Sequence, residues 1–144
     1  MIREVSFISR HLAQTTVSWG REGIISITSA RSGKVRLRKG WRRVLRLKFD
    51  DVERASPGCV AFDEDHADAI FDWLGRVEDH VDRIFVHCNA GKHRSPAVAL
   101  FIAEIYDLPG FNRTYPLYNR RVYRVMGKVW KKRNRLKPAL HMPV

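Results

Sequence analysis

The stretch RIFVHCNAGKHRSPAVALFIAEI, residues 83–105, constrains this chain more than any other. RIFVH is almost wholly apolar, the pattern of a short strand at the centre of a parallel sheet. From Ser95 to Tyr106 the apolar residues recur at helical period. Pro96 suits a first helical turn, where no intrahelical N–H is lost. Strand must therefore become helix across the short run from Cys88 to Arg94. A tight loop in that position gathers backbone N–H groups around one point, and the positive end of the helix converges on it too. The expectation is a loop that holds an anion against the sulfur of Cys88.

The other segments supply a sheet and helices around this unit. Residues 2–9 and 23–28 have the β-branched character of strands, with Gly20, Gly23 and the polar stretch between them marking turns. In residues 42–49, Leu47 and Phe49 alternate with Arg46 and Lys48 after Val44 and Leu45, which predicts a third strand. The loop DDVERASPG follows, broken by Pro57 and Gly58. Ala67, Ile70, Phe71, Leu74 and Val77 give residues 63–80 a helical stripe, and the acidic start Asp63, Glu64 and Asp65 suits the helix dipole. DLPG at 107–110 stops the next helix. A last helix is expected over about 118–132, with Val122, Val125, Met126 and Val129 on its apolar side and five basic residues elsewhere. Pro138 and Pro143 argue against helix in the tail.

Strands alternating with helices predict an α/β fold with a central, mainly parallel sheet flanked by helices. At 144 residues the chain suits a single domain, with a basic C-terminal helix and tail at about 118–144. No internal repeat or low-complexity segment interrupts it.

Charge bears on the partner. The chain has 27 Lys plus Arg against 15 Asp plus Glu, a formal net charge of +12. Such a surface favours polyanions, and Arg31, Lys34, Arg36, Arg38, Lys39, Arg42 and Arg43 form its densest cluster. Two cysteines exclude a disulfide-rich secreted scaffold. No signal-peptide core and no run of 18 apolar residues is present, so a soluble, cytoplasmic protein without a transmembrane segment is expected.

Within the loop, each residue type has a chemical reason. Gly91 lets backbone wrap an anion closely, and Arg94 can bind two oxygens of a phosphate with its planar fork. A helix N-terminus and nearby positive charge favour the thiolate of a cysteine held there. Residues Asn89, Ala90, Gly91, Lys92 and His93 would supply the amides that bind substrate, together with Arg94. A Walker A loop is excluded, because AGKHRS lacks the earlier glycine and has no Ser or Thr directly after Lys92.

The string formed by His87, Cys88, Gly91, Arg94 and Ser95 resembles the signature of cysteine-dependent protein tyrosine and dual-specificity phosphatases. The likeness covers about residues 23–107, and the chain's size is similar to the compact dual-specificity branch. It implies that Cys88 attacks phosphorus to form a phosphocysteine while Arg94 and the loop amides stabilise the transition state. It further implies that Ser95 hydrogen-bonds the departing sulfur and that His87 orients the loop and tunes the thiol. A general acid is expected on the loop after the preceding core strand, where Asp51 matches the family's position and Asp50 is the alternative. Either aspartate could instead cap the turn.

No cofactor and no metal is required by this chemistry, and His11, His66, His80 and His141 show no ligand spacing. Cys59 reads as a half-buried bystander or a partner for Cys88 under oxidation. Trp19, Trp41, Trp73 and Trp130 read as core or rim packing. The expected substrate is phosphotyrosine-containing protein. A phosphoinositide or RNA 5′-phosphate is the alternative, because Lys92, His93 and the basic cluster add positive charge. A catalytically silent phosphate-binding module is the third reading.

Overall fold

A computed structural model describes residues 1–135. In chain order the elements are β1 (Glu4–Ser9), α1 (Arg10–Thr15), β2 (Glu22–Thr28), β3 (Arg43–Lys48), α2 (Glu64–Val77), β4 (Arg83–Cys88), α3 (Arg94–Ile105) and α4 (Arg120–Arg135). The four strands form one sheet in the order β1-β4-β2-β3, and every neighbouring pair is parallel. The chain is thus an α/β domain. RIFVH lies inside the sheet, between β1 and β2, as its apolar run requires.

Strand alternation separates two layers. Val5, Ile25, Ile27, Leu47, Ile84, Val86 and Cys88 face a core shared with the buried sides of α2, α3 and α4. The opposite face carries Ile24, Ser26, Phe85 and His87, paired across β2 and β4. There α1 packs on β1 and β4, and Trp41 meets Phe85 edge-on at 5.5 Å between ring centres. Burial of the large aliphatic and aromatic side chains on both faces is the main favourable term, worth roughly 1.5–3 kcal/mol for each one fully buried.

Several boundaries differ from the sequence reading. Helix α1 was not expected; its six residues lack the length for a clear period, and Ser9 caps it by accepting from Leu12 N–H at 3.2 Å. Gly23 lies within β2, not in a turn, because a Cβ there would stand 2.9 Å from the indole of Trp73. Helix α2 ends at Val77, leaving His80 beyond it, and Asp63 is its N-cap. Asp63 accepts from the N–H groups of Asp65 and His66, and His66 Nδ1 accepts from Asp63 N–H in return. The imidazole's other nitrogen donates to the carbonyl of Lys48 at 3.0 Å. His66 thereby ties the start of α2 to the end of β3. Helix α4 starts two residues later than expected and continues past Lys132 to Arg135. Trp73 is buried, Trp41 and Trp130 are half-buried, and Trp19 is 85% exposed, outside any core. The tail with Pro138, His141 and Pro143 falls outside the described residues.

Candidate active site

The carboxyl ends of β1, β2, β3 and β4 lie at one edge of the parallel sheet, and the loop from β4 to α3 sits there. Gly91, at φ +70°, makes its turn possible. A Cβ on Gly91 would lie 2.7 Å from the carbonyl carbon of Ile8 and from the nitrogen of Ser9, so the loop is pressed onto the end of β1.

At the bottom lies Cys88, 2% exposed. Its sulfur is 3.2 Å from Ser95 Oγ and accepts from Ser95 N–H at 3.4 Å. Helix α3 therefore begins directly against the sulfur. No side chain caps α3 and its first turn holds no acidic residue, so the positive end of the helix faces the sulfur uncompensated.

Arg94 is 5% exposed. One guanidinium nitrogen donates to Phe49 carbonyl at 2.8 Å and to Ser29 Oγ at 3.1 Å, which fixes the plane of the group. Its Nε is buried and has no partner among the described residues. Leaving a buried charged donor unpaired is costly, and an anion beside the loop would relieve it.

His87 is fully buried on the opposite face of the sheet from the sulfur. Nδ1 can only donate to the carbonyl of Cys88, 3.3 Å away, so Nε2 accepts from Ser26 Oγ at 2.6 Å. Burial pushes the His87 pKa down to about 4, helped by nearby arginines. The ring is neutral and buttresses the backbone of Cys88.

The two candidate acids separate cleanly. Asp50 accepts from Ala30 N–H at 3.1 Å and Val60 N–H at 2.8 Å. These bonds hold its carboxyl below the usual carboxylate range, with Arg94 adding to the effect. Asp50 is a brace between two loops. Asp51 instead reaches the β4–α3 loop: Oδ2 is 2.7 Å from His93 Nδ1, and Oδ1 accepts from Asn119 Nδ2 at 2.9 Å. A cavity of about 350 Å³ opens beside it, lined by Asp51, Glu53, His93 and residues 116–120.

The sequence reading missed Asn119 and Tyr115. Asn119 directly precedes α4, and its Oδ1 accepts from Val122 N–H at 3.1 Å. Its own N–H donates to His93 carbonyl at 2.9 Å. The only signal for it was a helix-capping residue type ahead of an amphipathic period. Tyr115 donates to Lys92 carbonyl at 2.8 Å, and burial with the neighbouring Cys88 raises its pKa. Nothing in the sequence around Tyr115 marks that contact.

Asn89, Ala90, Lys92 and His93 are exposed at the rim, while Gly91 is half-buried. The basic cluster from Arg31 to Arg43 is exposed along the β2–β3 connection and the start of β3. Cys59 is exposed rather than half-buried, and both cysteines are free. Among the described residues no group of three or more His, Cys, Asp or Glu side chains is placed to hold a metal ion. No helix among them is long and apolar enough to cross a membrane. No protein-family model and no curated protein matches the chain.

Proposed function

We propose that the chain is a phosphomonoester hydrolase of the cysteine-dependent tyrosine and dual-specificity type, with the corresponding fold. One observation carries the reading: a buried sulfur at the start of α3, beside an arginine fixed at one end with an unpaired Nε. In the first step the Cys88 thiolate attacks phosphorus, the bond to the leaving oxygen breaks, and that oxygen takes a proton from Asp51. Arg94 and the loop amides hold the three remaining oxygens. In the second step water attacks the phosphocysteine and gives a proton to Asp51. The sulfur departs as thiolate, stabilised by Ser95, and inorganic phosphate leaves.

Phosphotyrosine-containing protein is the proposed substrate. The sulfur is deep, which suits an ester whose aromatic ring spans the rim, and the cavity beside Asp51 includes Pro116, Leu117 and Tyr118. The exposed basic segment and Lys92 favour a second reading, a phosphoinositide or RNA 5′-phosphate. Two free cysteines, Cys59 exposed and Cys88 buried, suit a reducing compartment, and a cytoplasmic location is part of this proposal. The test is a panel at fixed salt: phosphotyrosine and phosphoserine peptides, phosphoinositides and triphosphorylated RNA. Among singly phosphorylated substrates the phosphotyrosine peptide should be fastest, and Cys88→Ser should remove turnover while leaving phosphate binding. Activity of Cys88→Ser within about tenfold of wild type would exclude the sulfur as nucleophile.

A further inference from the structure

A smaller cavity adjoins the same loop. It measures about 80 Å³ and is lined by Arg10, Ile27, Thr28, Ser29, Ser32 and Asn89. A space of that size holds a few waters or one small anion. Three hydroxyls, an amide and a cation dominate its wall.

Two of these residues belong to both sites. Asn89 follows Cys88 directly, and Ser29 accepts from the Arg94 guanidinium at 3.1 Å. Arg10 is held against the loop by its backbone N–H, which donates to Asn89 carbonyl at 3.0 Å. Arg10 is half-buried, and no carboxylate among the described residues forms an ion pair with it. A partly desolvated cation among hydroxyls is a poor arrangement without an anion. We infer that this cavity is a second phosphate subsite, so that the preferred substrate carries another phosphate beside the one Cys88 attacks. A singly phosphorylated tyrosine fills only the site over the sulfur. The second phosphate could sit on a neighbouring residue of the same peptide, across an anhydride bond, or on an adjacent hydroxyl of a polyol. The inference rests on the phosphatase reading of the loop.

The test compares wild type with Arg10→Gln on four substrates: a phosphotyrosine peptide, the same peptide phosphorylated again at a neighbouring residue, a nucleoside 5′-diphosphate and a vicinal inositol bisphosphate. Arg10→Gln should lose about tenfold or more in kcat/KM on at least one two-phosphate substrate, the effect of one charged hydrogen bond. It should stay within about twofold on the singly phosphorylated peptide. The substrate that shows the loss identifies how the phosphates are joined. Equal loss on all four, or none on any, overturns the subsite. Ser32→Ala provides the same comparison should Arg10→Gln melt early. Calorimetry with inorganic phosphate separates the two readings. Cys88→Ser should bind two phosphates, and Cys88→Ser with Arg10→Gln should bind one. Two phosphates bound to a protein whose wild type hydrolyses nothing would refute the phosphatase and keep the subsite. One phosphate on Cys88→Ser of an active enzyme would refute the subsite alone.

Discussion

Asp50 and Asp51 are adjacent and chemically identical, yet their surroundings assign them different work. Both oxygens of Asp50 are occupied by backbone N–H groups, which favour the ionised form and suit a brace poorly to giving up a proton. Asp51 reaches His93 and Asn119 at the edge of the larger cavity. Asp51→Asn should therefore slow alkyl phosphates by about 10²–10⁴-fold while hardly affecting an aryl phosphate whose leaving group needs no proton. Asp50→Asn should show no such dependence and should instead lower stability by about 1–2 kcal/mol, since one acceptor is replaced by a donor facing a donor. Steady-state rates across a leaving-group series, with urea titrations of both variants, check the pair. A leaving-group effect confined to Asp50→Asn would reverse the assignment.

At the scale of elements, the site depends on how two helices begin. Helix α3 starts uncapped against the sulfur, and helix α4 follows Asn119, whose three polar groups reach α4, the β4–α3 loop and Asp51. Capping and positioning can be separated by substitution. Asn119→Asp keeps the acceptor for Val122 N–H, so its thermal midpoint should stay near wild type. It loses the donor to Asp51, so hydrolysis of poor leaving groups should fall several-fold more than that of an activated ester. Asn119→Ala should lose both, with about 1 kcal/mol of stability gone. Comparing melting curves with the leaving-group series reads the two effects independently. The turn before α3 tolerates less. Gly91→Ala forces a Cβ into the backbone of Ile8 and Ser9 in a left-handed conformation, so phosphate binding by calorimetry should be lost even if the sheet still folds.

Across the whole molecule, burial of His87 links the fold to pH. Its folded pKa of about 4 lies below the ordinary histidine value of 6.5, so the unfolded chain takes up a proton at higher pH than the native one. Stability is therefore full above about 6.5 and falls as pH drops towards 4, by about 3 kcal/mol in total. The depressed carboxyl of Asp50 acts below this window, as pH falls under 3.8. His87→Gln should lose less stability than wild type between pH 7 and 4.5, by about 2 kcal/mol in urea titrations. An unchanged difference would mean that another group takes up the proton.

By itself, the sequence determined the sheet-and-helix order, the buried position of RIFVH and the loop from Cys88 to Ser95. These are local matters of apolar period, glycine and proline, legible without knowing what lies across the fold. For the proposed acid it favoured Asp51 over Asp50 by resemblance alone, with no physical difference between the two neighbours to read. Only the tertiary structure showed the different partners of Asp50 and Asp51, because Ala30, Val60, His93 and Asn119 are distant in sequence. Distance in sequence also concealed Asn119 and Tyr115, which meet the loop 26 and 23 residues away. Gly23 reads as a turn until Trp73 is seen to occupy the space of its missing Cβ. Periodicity records which face a residue presents, whereas a hydrogen bond between remote side chains leaves no period to read.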